Sequence, residues 1–118
     1  MQTNKQYDLE DRTLAFARTV RALAKARPRS VANHEDARQV VRSSGSVGAN
    51  YIEVNEALSK KDFLLRIKIC RKEAKESRYW LRLVDIGDDA GLEKDRDGLI
   101  KEATELMNIF ASIIRKSN

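Results

Sequence analysis

Two pairs of glutamates are the side chains best suited to hold a metal ion. Glu53 and Glu56 are three residues apart, and so are Glu73 and Glu76. Residues at this spacing lie on the same side of a helix, so each pair would present two carboxylates together. Bundles that bind two metal ions combine such glutamates with Glu-x-x-His motifs, but the one histidine, His34, lies far from both pairs in the sequence. Salt bridges between helices are the better interpretation, and we expect no metal and no other cofactor.

The nucleophilic side chains offer no better basis for catalysis. Cys70 follows an apolar spacing that predicts burial, where a thiol packs as a small hydrophobic group. Ser43, Ser44 and Ser46 are clustered, but a serine nucleophile needs a positioned base, and only His34 could serve. The glycines beside these serines lie inside a helical pattern, so they do not form a phosphate-binding loop between a strand and a helix. The sequence therefore predicts a protein that is not an enzyme.

The composition indicates an all-α protein. Of the 118 residues, 42% are apolar and 35% are charged, with one proline and five glycines. This shortage of helix-breaking residues is typical of long amphipathic helices. The length suits a single domain, which we predict over residues 1–118. Four segments show helical spacing of apolar residues, and they run approximately over Leu9–Lys25, His34–Leu58, Lys61–Ile86 and Leu92–Arg115.

Short connections separate the four predicted helices. Pro28 ends the first helix, since the residue before a proline is disfavoured in the helical region. Asn33 and Ser59 are the expected N-caps of the second and third helices, and Gly87 and Gly91 bracket the last turn. Because helices joined by short loops are antiparallel neighbours, we predict an antiparallel up-down-up-down four-helix bundle.

Glycines occupy an unusual place in the second helix. Gly45 and Gly48 fall on one stripe with Val41 and Ile52, although a glycine inside a helix costs roughly 1 kcal/mol. We interpret this stripe as a close approach of another backbone; a weakened or kinked helix is the alternative. The opposite stripe, predicted to face the core, comprises Ala37, Val40, Ser44, Val47, Tyr51, Val54 and Leu58.

The third helix carries three different surfaces when its residues are placed about 100° apart. One surface is the predicted core stripe, which comprises Phe63, Ile67, Cys70, Ala74, Ser77, Leu81 and Val84. The second is an arc of cations roughly 120° wide by the same spacing, and we call it the cation stripe: Lys68, Arg71, Lys72, Lys75, Arg78 and Arg82. Regularly spaced cations on a helix suit contacts with phosphates, and a solvated helix face is the alternative.

The third surface of this helix is apolar and points away from the core stripe. We call it the apolar arc, and it comprises Leu65, Ile69, Trp80 and Leu83. A large apolar patch is uncommon on a soluble monomer, so we predict that these residues form an interface between copies of the chain. A broad core seam within one bundle is the alternative.

Polar residues on the second and third helices are predicted to pair with each other. Glu73 and Glu76 fall beside and within the apolar arc, where an unpaired carboxylate would be costly. The second helix offers Arg42, Asn50 and Asn55 as partners. Such pairs can fix the register of two helices, which is a structural role.

The charge balance and the cysteine usage indicate partners and location. Lysine and arginine number 23 against 18 acids, which gives a net charge of +5, and a basic surface favours polyanions. One cysteine excludes an intramolecular disulfide and is typical of a reducing compartment. Residues 1–10 contain no apolar core of a signal peptide, and no run approaches the roughly 20 apolar residues of a membrane span. We expect a cytoplasmic protein with no membrane partner.

Two motifs resemble those of a known family. The first is RSSGSVGANYIEVNE at residues 42–56, and the second comprises SKKDF at 59–63 and ICRKEAKESRYWL at 69–81. They resemble the bacterial four-helix bundle proteins related to the protein encoded in 23S ribosomal RNA intervening sequences. The family's motif positions are matched by Arg42, Ser43, Ser46, Asn50, Glu53, Glu56, Phe63, Glu73 and Glu76. Val54 stands where a common form of the motif has glycine.

The resemblance implies a cytoplasmic antiparallel bundle that assembles as a homopentamer and binds nucleic acid. Our leading hypothesis is thus a homo-oligomeric, pentameric bundle that binds RNA or DNA through the cation stripe. The alternative is a protein-interaction or scaffold module with no nucleic-acid role.

Overall fold

The protein is built from helices alone in the part that the structure describes. The computed structural model describes the backbone of residues 5–118 and the side chains of residues 9–118. It contains α1 (Lys5–Ala26), α2 (Val31–Asn55), α3 (Lys60–Leu83) and α4 (Ala90–Ser117). The predicted all-α class with four helices is therefore confirmed. Residues 1–4, which the single-domain and signal-peptide predictions also covered, lie outside the described residues.

Neighbouring helices run in opposite directions. Along the seam between α2 and α3, Asn50 bonds with Arg66 and Ser43 with Ser77, so the numbering rises on one helix as it falls on the other. The same opposite numbering appears between α1 and α2, in the contacts Glu10–Asn55 and Thr13–Gly48. It also appears between α4 and α3 with its C-cap residue, in the contacts Arg78–Thr104 and Val84–Arg96. The antiparallel bundle predicted from the short loops is thus confirmed.

The core lies along the axis of the bundle and uses residues from every helix. Residues at helical spacing along α1 are all buried, namely Leu9, Thr13, Phe16, Val20 and Leu23. The rings of Tyr51 and Phe110 meet with their centroids 6.2 Å apart. Burial of apolar surface at roughly 25 cal/mol per Å² is the main stabilising contribution. One core prediction is wrong: Leu58 is 98% exposed, because α2 ends at Asn55 and leaves Leu58 in the loop. Phe63 and Ile113 are partly buried.

Asn33 does not cap α2, which corrects another prediction. Ser30 is the N-cap, and its Oγ accepts a hydrogen bond from the backbone N of Asn33 at 3.0 Å. The Asn33 side chain is buried, and its Nδ2 donates to the carbonyl oxygens of Pro28 (2.9 Å) and Asp85 (2.6 Å). Its Oδ1 accepts from the backbone N of Asp85 at 2.8 Å. One amide therefore joins the α1–α2 loop to the α3–α4 loop.

The remaining helix ends follow local chemistry. Ser59 caps α3 as predicted, with its Oγ accepting from the backbone N of Asp62 at 3.0 Å. The helix ends at Leu83, before the predicted end at Ile86. Gly87 has a φ of 66°, a left-handed conformation that glycine adopts without strain. Gly91 lies inside α4 and not in the turn.

The two seams of α1 differ in how closely the helices approach. At Gly48 of α2, a Cβ would lie 3.0 Å from Thr13 Oγ1 and 3.3 Å from Thr13 Cβ. Close packing at this glycine is therefore confirmed, and α2 remains one continuous helix. Gly45 faces only the end of the Arg21 side chain. On the other side, Arg12 joins α1 to Glu102 and Glu105 of α4.

Candidate nucleic-acid interface and assembly surface

The cation stripe is an exposed surface of α3. Lys68, Arg71, Lys72, Lys75 and Arg82 are all exposed. They extend over about 21 Å of helix at 1.5 Å per residue. Among the described residues, none of these five forms an ion pair with a carboxylate. Their charges therefore act outward, into solvent.

Arg78 differs from the other five members of the cation stripe. It is half-buried, and its Nη1 donates a hydrogen bond to Thr104 Oγ1 of α4 at 3.3 Å. The Thr104 hydroxyl donates in turn to the carbonyl oxygen of Ile100 at 2.9 Å. Arg78 thus lies in the seam between α3 and α4, at the edge of the exposed cations.

The apolar arc is divided between exposed and packed side chains. Leu65 and Leu83 are 55% and 49% exposed, and Ile69 is half-buried. Trp80 packs against the core, and the ring of Tyr79 meets it edge-on at a centroid distance of 5.0 Å. Because Trp80 Nε1 is buried without a hydrogen-bond acceptor among the described residues, this ring is fixed by packing alone. Leu65 and Leu83 are therefore the members of the apolar arc that remain exposed apolar side chains.

Charged side chains meet between α2 and α3, where the sequence suggested a polar pairing. Arg42 Nη2 lies 2.9 Å from Glu76 Oε1 and 3.5 Å from Glu73 Oε1. Glu73 is the more buried of the two carboxylates, since its side chain is 12% exposed. One guanidinium thus lies beside both acids, and its single positive charge balances one of their two negative charges.

Uncharged side chains also join these two helices. Asn50 Oδ1 accepts from Arg66 Nη1 at 3.2 Å, and Asn50 Nδ2 donates to the carbonyl oxygen of Ser46 at 2.9 Å. Sequence reasoning missed the buried pair of Ser43 and Ser77, whose Oγ atoms lie 2.8 Å apart. Half of the signal was present, because Ser77 falls on the predicted core stripe of α3, whereas the predicted core stripe of α2 contains Ser44 and not Ser43.

Glu53 and Glu56, the other two acids predicted to have a structural role, lie at the C-terminal end of α2. Glu53 and Glu56 are both exposed, and Glu56 is the C-cap residue of the helix. They are therefore separated from the paired acids Glu73 and Glu76, which contact Arg42 near the middle of α2. Within residues 9–118, no group of three or more His, Cys, Asp or Glu side chains is placed to hold a metal ion.

Cys70 is enclosed in the core. Its Sγ lies 3.5 Å from the carbonyl oxygen of Val47 and donates to it. Burial raises the pKa of the Cys70 thiol to about 12, because a thiolate loses its hydration there. Burial also raises the pKa of Tyr51, and the negative charges of a Cys70 thiolate and of Glu10 add to that effect. The thiol is thus protonated and inert near neutral pH.

A surface groove between α1 and α2 is the feature that sequence reasoning did not find. We call it the α1–α2 groove, and its volume is about 430 Å³. Small residues make up part of its lining, and Leu14 and Ile52 are half-exposed on it. Its lining comprises Glu10, Asp11, Thr13, Leu14, Ala17, Arg18, Arg21, Gly45, Gly48, Ala49 and Ile52. No described helix is long and apolar enough to cross a membrane.

The chain matches a known protein family over most of its length. The model of the 23S rRNA-intervening sequence protein family matches residues 5–112, which include both motifs, helices α1 to α3 and α4 as far as residue 112. This chain belongs to that family. The family assignment confirms the resemblance seen in the sequence, and no curated protein matches the chain.

A solved structure supports the same assignment. The chain is 28% identical to a protein of unknown function from the S23 ribosomal protein family of Bacteroides thetaiotaomicron. The match covers 95% of this chain and 99% of that one, with a TM-score of 0.76. In this member of the 23S rRNA-intervening sequence protein family, the motif residues Ser43 and Asn50 contact α3. These two positions of the family motif therefore pack helices together here.

Proposed function

We propose that this protein is a non-enzymatic, cytoplasmic, homo-oligomeric nucleic-acid-binding protein. The observation that carries this proposal is the exposure of five cations along one side of α3. Cations spaced along a rigid helix contact successive phosphates and carry no sequence information, so the binding would be electrostatic. The family's name, which refers to a 23S rRNA intervening sequence, is in keeping with an RNA or DNA partner.

Self-assembly is the second part of the proposal. Leu65 and Leu83 leave about half of their surface in solvent near the two ends of α3, and the half-buried Ile69 lies one turn from Leu65. Exposed apolar side chains of this size favour contact with another protein surface. A pentamer is the assembly that the family resemblance implies. A ring would repeat the exposed cations once in each subunit and so strengthen the field at its surface.

The absence of catalysis is also part of the proposal. It is supported by the Cys70 thiol, whose burial and raised pKa make it a poor nucleophile. The pairing of Arg42 with Glu73 and Glu76 supports a structural role for those acids.

The test is binding of random-sequence RNA and DNA, single-stranded and duplex, across a salt series. We expect affinity to fall as salt rises, with a log-log slope of about −0.9 for each duplex phosphate contact. The double variant Lys72→Glu and Lys75→Glu removes two exposed cations and reverses their charge, and we expect it to weaken binding at least tenfold.

The matched control changes the same net charge elsewhere. The double variant Arg29→Glu and Lys94→Glu alters two exposed cations outside α3, and we expect it to weaken binding much less. Equal losses in the two double variants would show that only net charge matters and would contradict the role of α3. No binding of the parent protein at low salt would favour the protein-interaction or scaffold function instead.

A further inference from the structure

Tyr79 is an aromatic side chain on the outer side of α3. It is 57% exposed, and among residues 9–118 it is the only exposed aromatic side chain. Phe63 and Trp80, the other two aromatic residues of α3, both pack against the core. Tyrosine also forms helices less readily than leucine, lysine or arginine. Neither the core nor the helix therefore accounts for this ring, and most of its surface is open to a partner.

The Tyr79 ring lies among the exposed cations of the cation stripe. At about 100° per residue, it points within about 20° of Lys68 and Lys72 and within about 40° of Lys75. Lys75 precedes it by four residues, and Arg82 follows it by three. Residues at these spacings are neighbours on a helix surface. Cations therefore lie on both sides of the ring along α3.

The acid nearest to Tyr79 on α3 is already engaged. Glu76 lies three residues before Tyr79, and its Oε1 accepts a hydrogen bond from Arg42 Nη2 of α2 at 2.9 Å. The next acid along the chain, Asp85, lies beyond the end of α3, and its Oδ1 accepts from the backbone N of Gly87 at 2.8 Å. The α3 surface around Tyr79 therefore carries more positive than negative charge.

Trp80 holds the Tyr79 ring in place. The planes of the two rings lie 79° apart, and their centroids are separated by 5.0 Å. Trp80 is itself packed against the core. A ring braced in this way loses less rotational freedom on binding than an unsupported side chain, which lowers the entropic cost of a contact. The structure thus presents a preorganised aromatic ring between cations.

This combination suits a partner that offers both phosphates and accessible base faces. Cations contact phosphates, and an exposed aromatic ring beside them can stack with a base. In a duplex, each base is covered by its neighbours, so a side chain reaches a base face only by unstacking a base step, which costs free energy. In a single strand, the base faces are accessible without this cost.

We propose that this surface binds single-stranded nucleic acid, with a base stacked on Tyr79 and the flanking phosphates contacted by Lys72, Lys75 and Arg82. This inference rests on the nucleic-acid binding of the proposed function and names its preferred form, single strands over duplexes. Stacking requires only the face of a base, so Tyr79 selects no base sequence.

An abasic probe separates stacking from charge. Oligothymidylate and an abasic oligonucleotide of the same length carry the same phosphates, but only the first has bases. We expect the parent protein to bind oligothymidylate about fivefold or more tightly than the abasic strand, because of the stacked base. In salt high enough to weaken phosphate contacts, it should also bind oligothymidylate more tightly than a duplex of equal length. Equal affinity for the two single strands, or tighter binding of the duplex in this salt, would overturn the proposal.

Substitutions at Tyr79 assign the effect to this ring. Tyr79→Phe keeps an aromatic face and should bind like the parent protein. Tyr79→Ala should lose about fivefold or more of the affinity for oligothymidylate and none for the abasic strand. Its log-log salt slope should equal that of the parent, because no phosphate contact is removed. An unchanged affinity of Tyr79→Ala for oligothymidylate would contradict the stacking.

Leu14→Ala is the matched control. Leu14 is an apolar side chain of similar exposure, 51%, but it lies on α1. This variant should bind oligothymidylate like the parent protein. A loss equal to that of Tyr79→Ala would show that any exposed apolar side chain contributes, and would overturn the specific role of the ring.

A second copy of the chain is the alternative occupant of this surface. In that case, Tyr79→Ala would lower the mass measured by light scattering, and it would weaken binding of oligothymidylate and of the abasic strand equally. This pair of results would overturn the stacking.

The abasic probe also separates this inference from the proposed function. A parent protein that binds no nucleic acid would contradict both. Salt-dependent binding with equal affinity for abasic and base-bearing strands would contradict only the stacking on Tyr79.

Discussion

Helix α1 is held on its two sides by different kinds of contact. Against α2, it packs so closely that a Cβ at position 48 would lie 3.0 Å from Thr13 Oγ1. Against α4, it is held by charge, because Arg12 forms two hydrogen bonds with Glu102 at 2.6 and 2.8 Å and one with Glu105 at 2.8 Å. The hydrogen bond with Glu102 raises the pKa of Arg12 above its usual value, so the guanidinium stays charged.

The difference shows that one helix can be fixed by shape on one side and by electrostatics on the other. A groove of about 420 Å³ remains between α1 and α4, lined in part by Phe16, Leu99 and Gly98. Near Gly98, a Cβ would meet nothing within 4 Å. Gly48 thus lies at a close helix contact, whereas Gly98 borders open space. The following predictions test this difference between the two seams of α1.

The largest effect is expected for Gly48→Ala. The added Cβ would lie 3.0 Å from Thr13 Oγ1, and Thr13 is buried with its hydroxyl bonded to the Leu9 carbonyl oxygen at 2.7 Å. Relief needs a shift of α1, so we expect the free energy of unfolding to fall by about 1–3 kcal/mol. Urea denaturation measures this value, and an unchanged midpoint would contradict the steric account.

The matched control is Gly98→Ala in the other groove. The new methyl group enters open space, so only the helix propensity changes, and we expect about 0.5–1 kcal/mol of added stability. Opposite signs for the two variants would confirm that shape constrains one seam and not the other. A loss of stability at both positions would remove the distinction.

A smaller effect is expected for Arg12→Ala. The side chain is 33% exposed, so its ion pairs are partly screened, and we expect a loss of about 1–2 kcal/mol. Hydrogen exchange should become faster in α1 and α4 and change little in α3. Because salt screens charges and not shape, 1 M salt should reduce this loss and leave the Gly48→Ala loss intact. A loss independent of salt would show that Arg12 acts through packing.

The smallest effect is expected from ionisation of the Cys70 thiol at alkaline pH, which involves neither seam of α1. Burial raises the pKa of Cys70 from 9.0 to about 12, so the folded state holds the proton more tightly than the unfolded state. This contribution is complete below about pH 9 and is lost as pH rises toward 12. At pH 10, the parent should lose about 1 kcal/mol more than Cys70→Ala, each relative to its own stability at pH 8. Parallel pH profiles of unfolding free energy would contradict this prediction.

The periodic features of the sequence predicted the fold well. The spacing of Ile67, Cys70 and Leu81 identified a buried stripe, because a helix repeats every 3.6 residues whatever its partner. Ser59 was identified as a cap from local chemistry alone. Asn33 was misjudged because a capping residue and a buried bridging residue have the same polar side chain.

The candidate sites were less predictable for a physical reason. A helical wheel gives the direction of a side chain but not the position of the neighbouring helix, so Arg78 was grouped with the exposed cations although it bonds to Thr104. The α1–α2 groove depends on how two helices approach, which the wheel of either helix does not contain. Whether the exposed cations bind nucleic acid stays a prediction.

The bond network of Asn33 makes two distant loops into one unit. Its amide bonds to Pro28 and to Asp85, which is 52 residues away in the chain. When either loop lifts away, the other loses its hydrogen bonds as well, so local opening at this end should be concerted. A protease cut in the segment around Gly87 would then also loosen the loop that contains Pro28.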